Sequence, residues 1–233
     1  IGCGGNSGSS ASRARNVVFI LGDGMGPQHI QAGRIFRNGP DTPLSFETLR
    51  ARGVLDTGSL ASQPTDSAAG ATAYATGERV NNGAVSTRPD GSELPTVLEM
   101  AQGLDKATGI ISTSYIHDAS PAAFTAHNAT RDASADLIED IVLRSQPDVV
   151  LGGGLPEWET FGGIEQGIAE GYTFVGTAAE LAALNASNTS KIRASVISFL
   201  SAPFTARTRS PAGKSASTMN AKSRVTLCSA GGV

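Results

Sequence analysis

In the stretch TDSAAGATA, residues 65–73, an acid and a hydroxyl stand side by side in front of a run of small residues. Asp66 and Ser67 suit the start of a helix, because their side-chain oxygens accept the free N–H groups of the first turn. The same place suits a nucleophilic serine, since those N–H groups and the helix dipole favour an anion. Two further polar clusters accompany this one. Asp23 sits in Gly-Asp-Gly directly after the apolar run NVVFIL, and Asp118 and Ser120 sit in HDASPAAFTAH, with Arg131 four residues beyond it. Carboxylates and hydroxyls without thiols suit hard divalent cations such as Mg2+. A guanidinium is well shaped for phosphate. A serine is a weak nucleophile at its ordinary pKa and needs a base or a metal to activate it. Metal-assisted attack on phosphorus is therefore a coherent chemistry for this set.

Each residue also has a plain structural reading. Asp23 can be a turn residue, Asp118 and Ser120 can cap the helix that Pro121 opens, and Arg131 can be a solvated charge. His29, His117 and His127 read as structural, because no pair of them has a zinc-ligand spacing.

The elements that must position these residues follow from periodicity. NVVFIL, residues 16–21, is apolar on both faces and stops at glycine, as a buried parallel strand does. PQHIQAGRIFRN predicts a helix from Pro27 to an exit at Gly39. SFETLRARG reads as a short amphipathic helix and GVLDTGSL as a strand. Helices are expected from Ser67 to a C-cap at Gly77, in LPTVLEMAQ, from Ser120-Pro121, in SADLIEDIVLRS and in TAAELAALNAS. ATGIISTS and PDVVLGGG read as strands. Strands alternating with helices imply parallel βαβ units, so the class is α/β, a mostly parallel sheet sandwiched by helices. In such sheets ligands bind beyond the carboxyl ends of strands, so the three polar clusters are expected to meet on one rim.

NVVFILGDGMG, TDSAAGATAYATG with NNGAV just beyond, HDASPAAFTAH with Arg131, and DVVLGGG occur in this order. The combination resembles the alkaline phosphatase family over roughly residues 16–191, and Asp-Ser-Ala-Ala is similar to that family's nucleophile signature. The resemblance implies a phosphate monoester substrate, two zinc ions and one magnesium, and a phosphoserine intermediate. It implies Ser67 as nucleophile and zinc ligand, Asp23 as a bridge between zinc and magnesium, and Ser120 at magnesium, where many relatives have Thr. It further implies Asp118 on magnesium-bound water, Arg131 as the phosphate clamp and Asp66 as the residue that orients Arg131. It also implies a homodimer in full-length members and a periplasmic or cell-surface location.

The family's remaining metal ligands are Asp, Glu and His residues later in the chain. This sequence has no His after His127 and no acid after Glu180. The chain is therefore expected to be inactive by itself. A phosphate-binding or interaction module without turnover is the alternative, and a serine hydrolase is disfavoured because no G-x-S-x-G elbow surrounds Ser67.

Composition agrees with a globular domain: 233 residues, 39% hydrophobic and 17% charged. The charge is uneven, with 21 acidic and 11 basic side chains in residues 1–180 and seven basic and no acidic ones in 181–233. The segment 193–233 lacks acids and periodicity, and reads as a disordered or frame-shifted basic tail. Lacking interleaved aromatics, it is not expected to bind nucleic acid. Residues 1–15 are Gly/Ser-rich and read as a flexible leader. Ile1-Gly2-Cys3 resembles the end of a lipoprotein signal, with Cys3 as a possible lipid anchor.

Overall fold

A computed structural model describes residues 16–184 except 50, 52, 62 and 63, together with the backbone of 194–196 and 224–231. The leader, Cys3 and most of the basic tail lie outside the described residues. Strands β1 (Asn16–Asp23), β2 (Gly109–Tyr115), β3 (Val149–Gly153), β4 (Thr173–Val175), β5 (Ala194–Val196) and β6 (Arg224–Gly231) form two sheets. The larger has the order β2-β3-β5-β4, and all of its pairings are parallel. Helices α1 (Pro27–Asn38), α2 (Ser67–Thr76), α3 (Val97–Gln102), α4 (Ala119–Thr125), α5 (Ser134–Glu139), α6 (Leu155–Thr160), α7 (Gly163–Ala169) and α8 (Ala178–Ala183) lie between and around the strands. The class is α/β with a parallel sheet, as expected.

The helix at the serine forms for the local reasons its sequence suggests. Asp66 is the N-cap, its side chain accepting from Ala69 N at 2.9 Å, and Gly77 closes the helix in the left-handed region at φ 77°. Its small residues have a packing purpose. Ala68, Ala71 and Ala75 share one buried cluster with Ala119, Ala122, Ala123 and Ala126, and α2 packs on α4. Alanines at helical spacing on both surfaces let two helices approach closely. Since α2 begins at Ser67 and Asp118 caps α4, this packing brings two helix starts to one place.

Some elements differ from expectation. β1 forms, but it pairs antiparallel with β6, and its burial is one-sided. Phe19 and Leu21 pack on the main core, while on the opposite face Val18 and Ile20 are 42% and 64% exposed. A strand apolar on both faces is buried only where layers cover both, and here one face is covered among the described residues. GVLDTGSL makes no strand among its described residues: Gly58 N donates to Asp56 Oδ1 at 2.9 Å, a local bond that competes with a ladder. SFETLRARG shortens to a single 3-10 turn, Ser45–Thr48. Its Glu47 caps Leu44 N at 2.8 Å and is ion-paired to Arg34 on α1. The pattern also missed α6, α7 and β4, short elements in a glycine-rich stretch. The expected helix over 134–145 is regular to Glu139 and then widens into a π-helical turn, Asp140–Ser145.

Candidate active site

Asp23 ends β1 and stands between two hydroxyls. Ser67 Oγ donates to its Oδ1 at 3.0 Å and Ser120 Oγ donates to its Oδ2 at 2.7 Å. One carboxylate thus joins three segments far apart in sequence: the end of a strand, the first residue of α2 and the first turn of α4. Ser67 and Asp23 are half-buried and Ser120 is buried.

Arg131 makes the second half of the arrangement. Its Nη1 donates to Asp66 Oδ2 at 3.3 Å and its Nη2 to Asp118 Oδ1 at 2.8 Å. Its guanidinium therefore spans the caps of both helices. Asp118 Oδ1 also accepts from Ala119 N at 2.8 Å, and Asp118 Oδ2 accepts from Ser114 Oγ at 3.3 Å. All six residues singled out in the sequence, Asp23, Asp66, Ser67, Asp118, Ser120 and Arg131, meet at the rim beyond β1 and β2, where an α/β sheet exposes its ligand-binding edge.

Two histidines have partners of their own. His127 Nε2 lies 2.8 Å from Glu99 Oε1 and Nδ1 lies 3.0 Å from the Ser86 carbonyl. Both neighbours are acceptors, an arrangement that favours the protonated imidazolium, which can donate to each. Burial alone pushes its pKa down, but the Glu99 hydrogen bond and Ser86 carbonyl, with the nearby Glu99 and Glu93 charges, outweigh burial and raise it above its ordinary value. His117 is buried and stacks on Tyr115, with centroids 5.6 Å apart. Burial lowers its pKa despite the charges of Glu157 and Asp118, which favours the neutral ring.

Sequence reasoning gave Ser114 and the turn around Asn82 and Gly83 no role. Gly83 N donates to Asp66 Oδ2 at 3.1 Å, and the Gly83 carbonyl accepts from Arg131 N at 2.7 Å. The signal available was NNGAV, a turn-forming dipeptide shortly after the helix exit.

The alkaline phosphatase family model matches residues 14–189. The chain belongs to the alkaline phosphatase family. It is 38% identical to streptomycin-6-phosphate phosphatase of Streptomyces griseus over 63% of this chain and 38% of that protein. The crystal structure of a cold-active alkaline phosphatase from a psychrophilic Shewanella superposes with a TM-score of 0.66 at 34% identity, over 77% of this chain and 44% of that one. A variant of the alkaline phosphatase from the Antarctic bacterium TAB5, described with Mg bound in its M3 site, gives a TM-score of 0.61 at 27% identity. That match covers 72% of this chain and 48% of the TAB5 chain. The chain therefore spans less than half the length of these relatives.

Among the described residues, the rim's six named side chains offer carboxylates and hydroxyls as metal ligands, with no His or Cys. That donor set fits magnesium, which takes one or two carboxylates and keeps several waters. It does not fit zinc, which takes a compact set of His, Cys and carboxylate ligands. Among the described residues no group of three His, Cys, Asp or Glu could hold a metal ion.

Proposed function

We propose that this rim is the phosphate-binding and magnesium-binding half of an alkaline phosphatase active site, acting on phosphate monoesters. The observation that carries the reading is Asp23 between Ser67 and Ser120, beside Arg131 held by Asp66 and Asp118. Ser67 is the nucleophile: its Oγ would bond to phosphorus as the bond from phosphorus to the ester's alcohol oxygen breaks, with the serine hydroxyl proton ending on the departing oxygen. Its place at the first turn of α2 supports this role, since the free N–H groups there favour phosphate oxygens. Arg131 grips two of those oxygens, a task for which a planar fork of donors is suited. Asp66 orients the guanidinium. Asp23 accepts the Ser67 hydroxyl proton's hydrogen bond and holds that oxygen at the rim.

Asp23 and Ser120 would hold magnesium directly and Asp118 through water. Magnesium supplies charge stabilisation for the oxygens of the transferring phosphoryl group. The zinc ions that the family resemblance implies find no fitting donor set among the described residues, and those residues leave Ser67 without the activation that such a nucleophile requires. The 233-residue chain therefore binds phosphate but does not turn it over. The location proposed is the periplasm or cell surface, with Cys3 as the candidate lipid attachment.

Calorimetry of the 233-residue chain with inorganic phosphate, in the presence of magnesium, tests the site. Binding that Arg131→Ala weakens by at least about tenfold, the loss of a charge-assisted bidentate contact, is the expected result. Hydrolysis of p-nitrophenyl phosphate is expected at background, unchanged by Ser67→Ala. Robust zinc-dependent turnover that Ser67→Ala abolishes would overturn the expected inactivity and leave the phosphatase site in place. Absence of phosphate binding would overturn the site itself.

A further inference from the structure

NNGAV lies just beyond the serine helix, and no catalytic or metal role falls to it. Its turn closes with Ala84 N donating to the Asn81 carbonyl at 3.2 Å, and Gly83 takes φ 85°, a left-handed conformation natural to glycine. Asn82 is exposed, yet its amide faces the protein. Its Oδ1 accepts from Asp66 N at 2.9 Å and its Nδ2 donates to the Pro64 carbonyl at 3.0 Å. The amide therefore straddles the segment that leads into Ser67. The Asn82 backbone N–H donates to Ser59 Oγ at 3.0 Å, which anchors the turn from behind.

The next residue carries the turn to the other side of the site. Gly83 N donates to Asp66 Oδ2, the same oxygen that accepts from Arg131 Nη1, and the Gly83 carbonyl accepts from Arg131 N. Beyond it, Val85 and Asn128 exchange two backbone bonds, at 2.8 and 2.9 Å, which fasten the turn to the loop before Arg131. One short turn thus holds the Asp66 backbone, the Asp66 carboxylate and the Arg131 backbone at once.

We infer that Asn82 is a positioning residue: it fixes the distance between the Asp66 cap and Arg131, and so presets the guanidinium for phosphate. This rests on the reading of Arg131 as the phosphate clamp. Without the Asn82 amide, Asp66 keeps its bond to Gly83 N, but the segment 64–66 is no longer tied to the turn from both sides. The Asp66 carboxylate then swings with its own segment, and Arg131 loses a fixed partner. Asn82 is at the surface and fills no core volume, so its removal opens no cavity and acts through the hydrogen bonds lost at Asp66 and Pro64.

Side-chain relaxation of Arg131 decides the matter without any ligand. The guanidinium Nε resonance of the 15N-labelled 233-residue chain is assigned by its loss in Arg131→Lys, and its order parameter is measured in the native chain, Asn82→Ala and Asn82→Asp. The expected result is a fall in Asn82→Ala into the mobile range, below roughly 0.6. Asn82→Asp keeps an acceptor for Asp66 N and loses the donor to Pro64, so it is expected to fall between the two. An Arg131 order parameter unchanged in Asn82→Ala overturns the inference, and should that variant not fold, an unchanged value in Asn82→Asp does so. Inorganic phosphate binding is read separately. A Kd raised in Asn82→Ala supports the inference. A native chain that binds no phosphate removes the clamp reading, while the order parameter still reports whether Asn82 positions Arg131.

Discussion

At the scale of single residues, a pairing away from the rim governs how the fold responds to pH. Protonated His127 can donate from both ring nitrogens, to Glu99 and to the Ser86 carbonyl, and its pKa is raised. Burial pushes the Glu99 carboxyl up, but hydrogen bonds from His127 and Thr96 outweigh it and leave the pKa below its ordinary value. The signs differ. The His127 contribution is complete below the unfolded histidine value of 6.5 and is lost as pH rises through the raised folded value. The Glu99 contribution is complete above the unfolded value of 4.5 and is lost as pH falls through the depressed one. The pair therefore stabilises most between these two values. Urea midpoints measured from about pH 5 to about pH 9 are expected to decline on the alkaline side, and His127→Gln is expected to flatten that part of the decline. A decline of the same size in His127→Gln would assign it elsewhere.

At the scale of elements, two contacts leave little space. α2 and α4 meet through alanines, so Ala122→Leu forces the helices apart. An overpacked core costs about 1–3 kcal/mol, and the displacement also separates Ser67 from Ser120, which share Asp23. The variant is expected to melt earlier and to bind phosphate more weakly. A full-strength phosphate affinity would show that the spacing of these helices does not set the rim. At the start of α7, a Cβ at Gly163 would collide with Ile138 Cγ2 and lie 2.9 Å from Trp158 Cε3. Gly163→Ala is therefore expected to destabilise by about 1–3 kcal/mol while leaving phosphate binding intact. Denaturant midpoints and phosphate titrations of the two variants distinguish a packing fault near the site from one remote from it.

At the scale of the whole molecule, the notable feature is apolar surface. Among the described residues, Val17, Ile20, Ile35 and Phe36 on β1 and α1 are 72%, 64%, 52% and 83% exposed. Exposed apolar strand faces and helix faces promote association. The chain is expected to self-associate with concentration in light scattering. The paired change Ile20→Thr and Phe36→Ser is expected to shift it toward the monomer. A monodisperse monomer across the whole range would show that other parts of the chain cover this face. Among the described residues no helix is long and apolar enough to cross a membrane.

The sequence by itself determined the local pieces: the Asp66 cap, the left-handed exit at Gly77, the proline-opened α1 and the βαβ alternation. Each depends on residues a few positions apart, so spacing and backbone preference suffice. The elements read wrongly fall into two kinds. Glu47 is drawn to the distant Arg34 and β1 has one face covered instead of two, whereas Asp56 turns the chain by a local bond that outcompetes the expected strand. The six rim residues were legible as types suited to phosphate and metal chemistry. That Asp23 stands between two serines, and that Arg131 bridges two helix caps, was decided only by the packing of α2 on α4. The reason is physical: these bonds join residues up to 97 positions apart, and no local preference encodes a meeting that depends on how two helices pack.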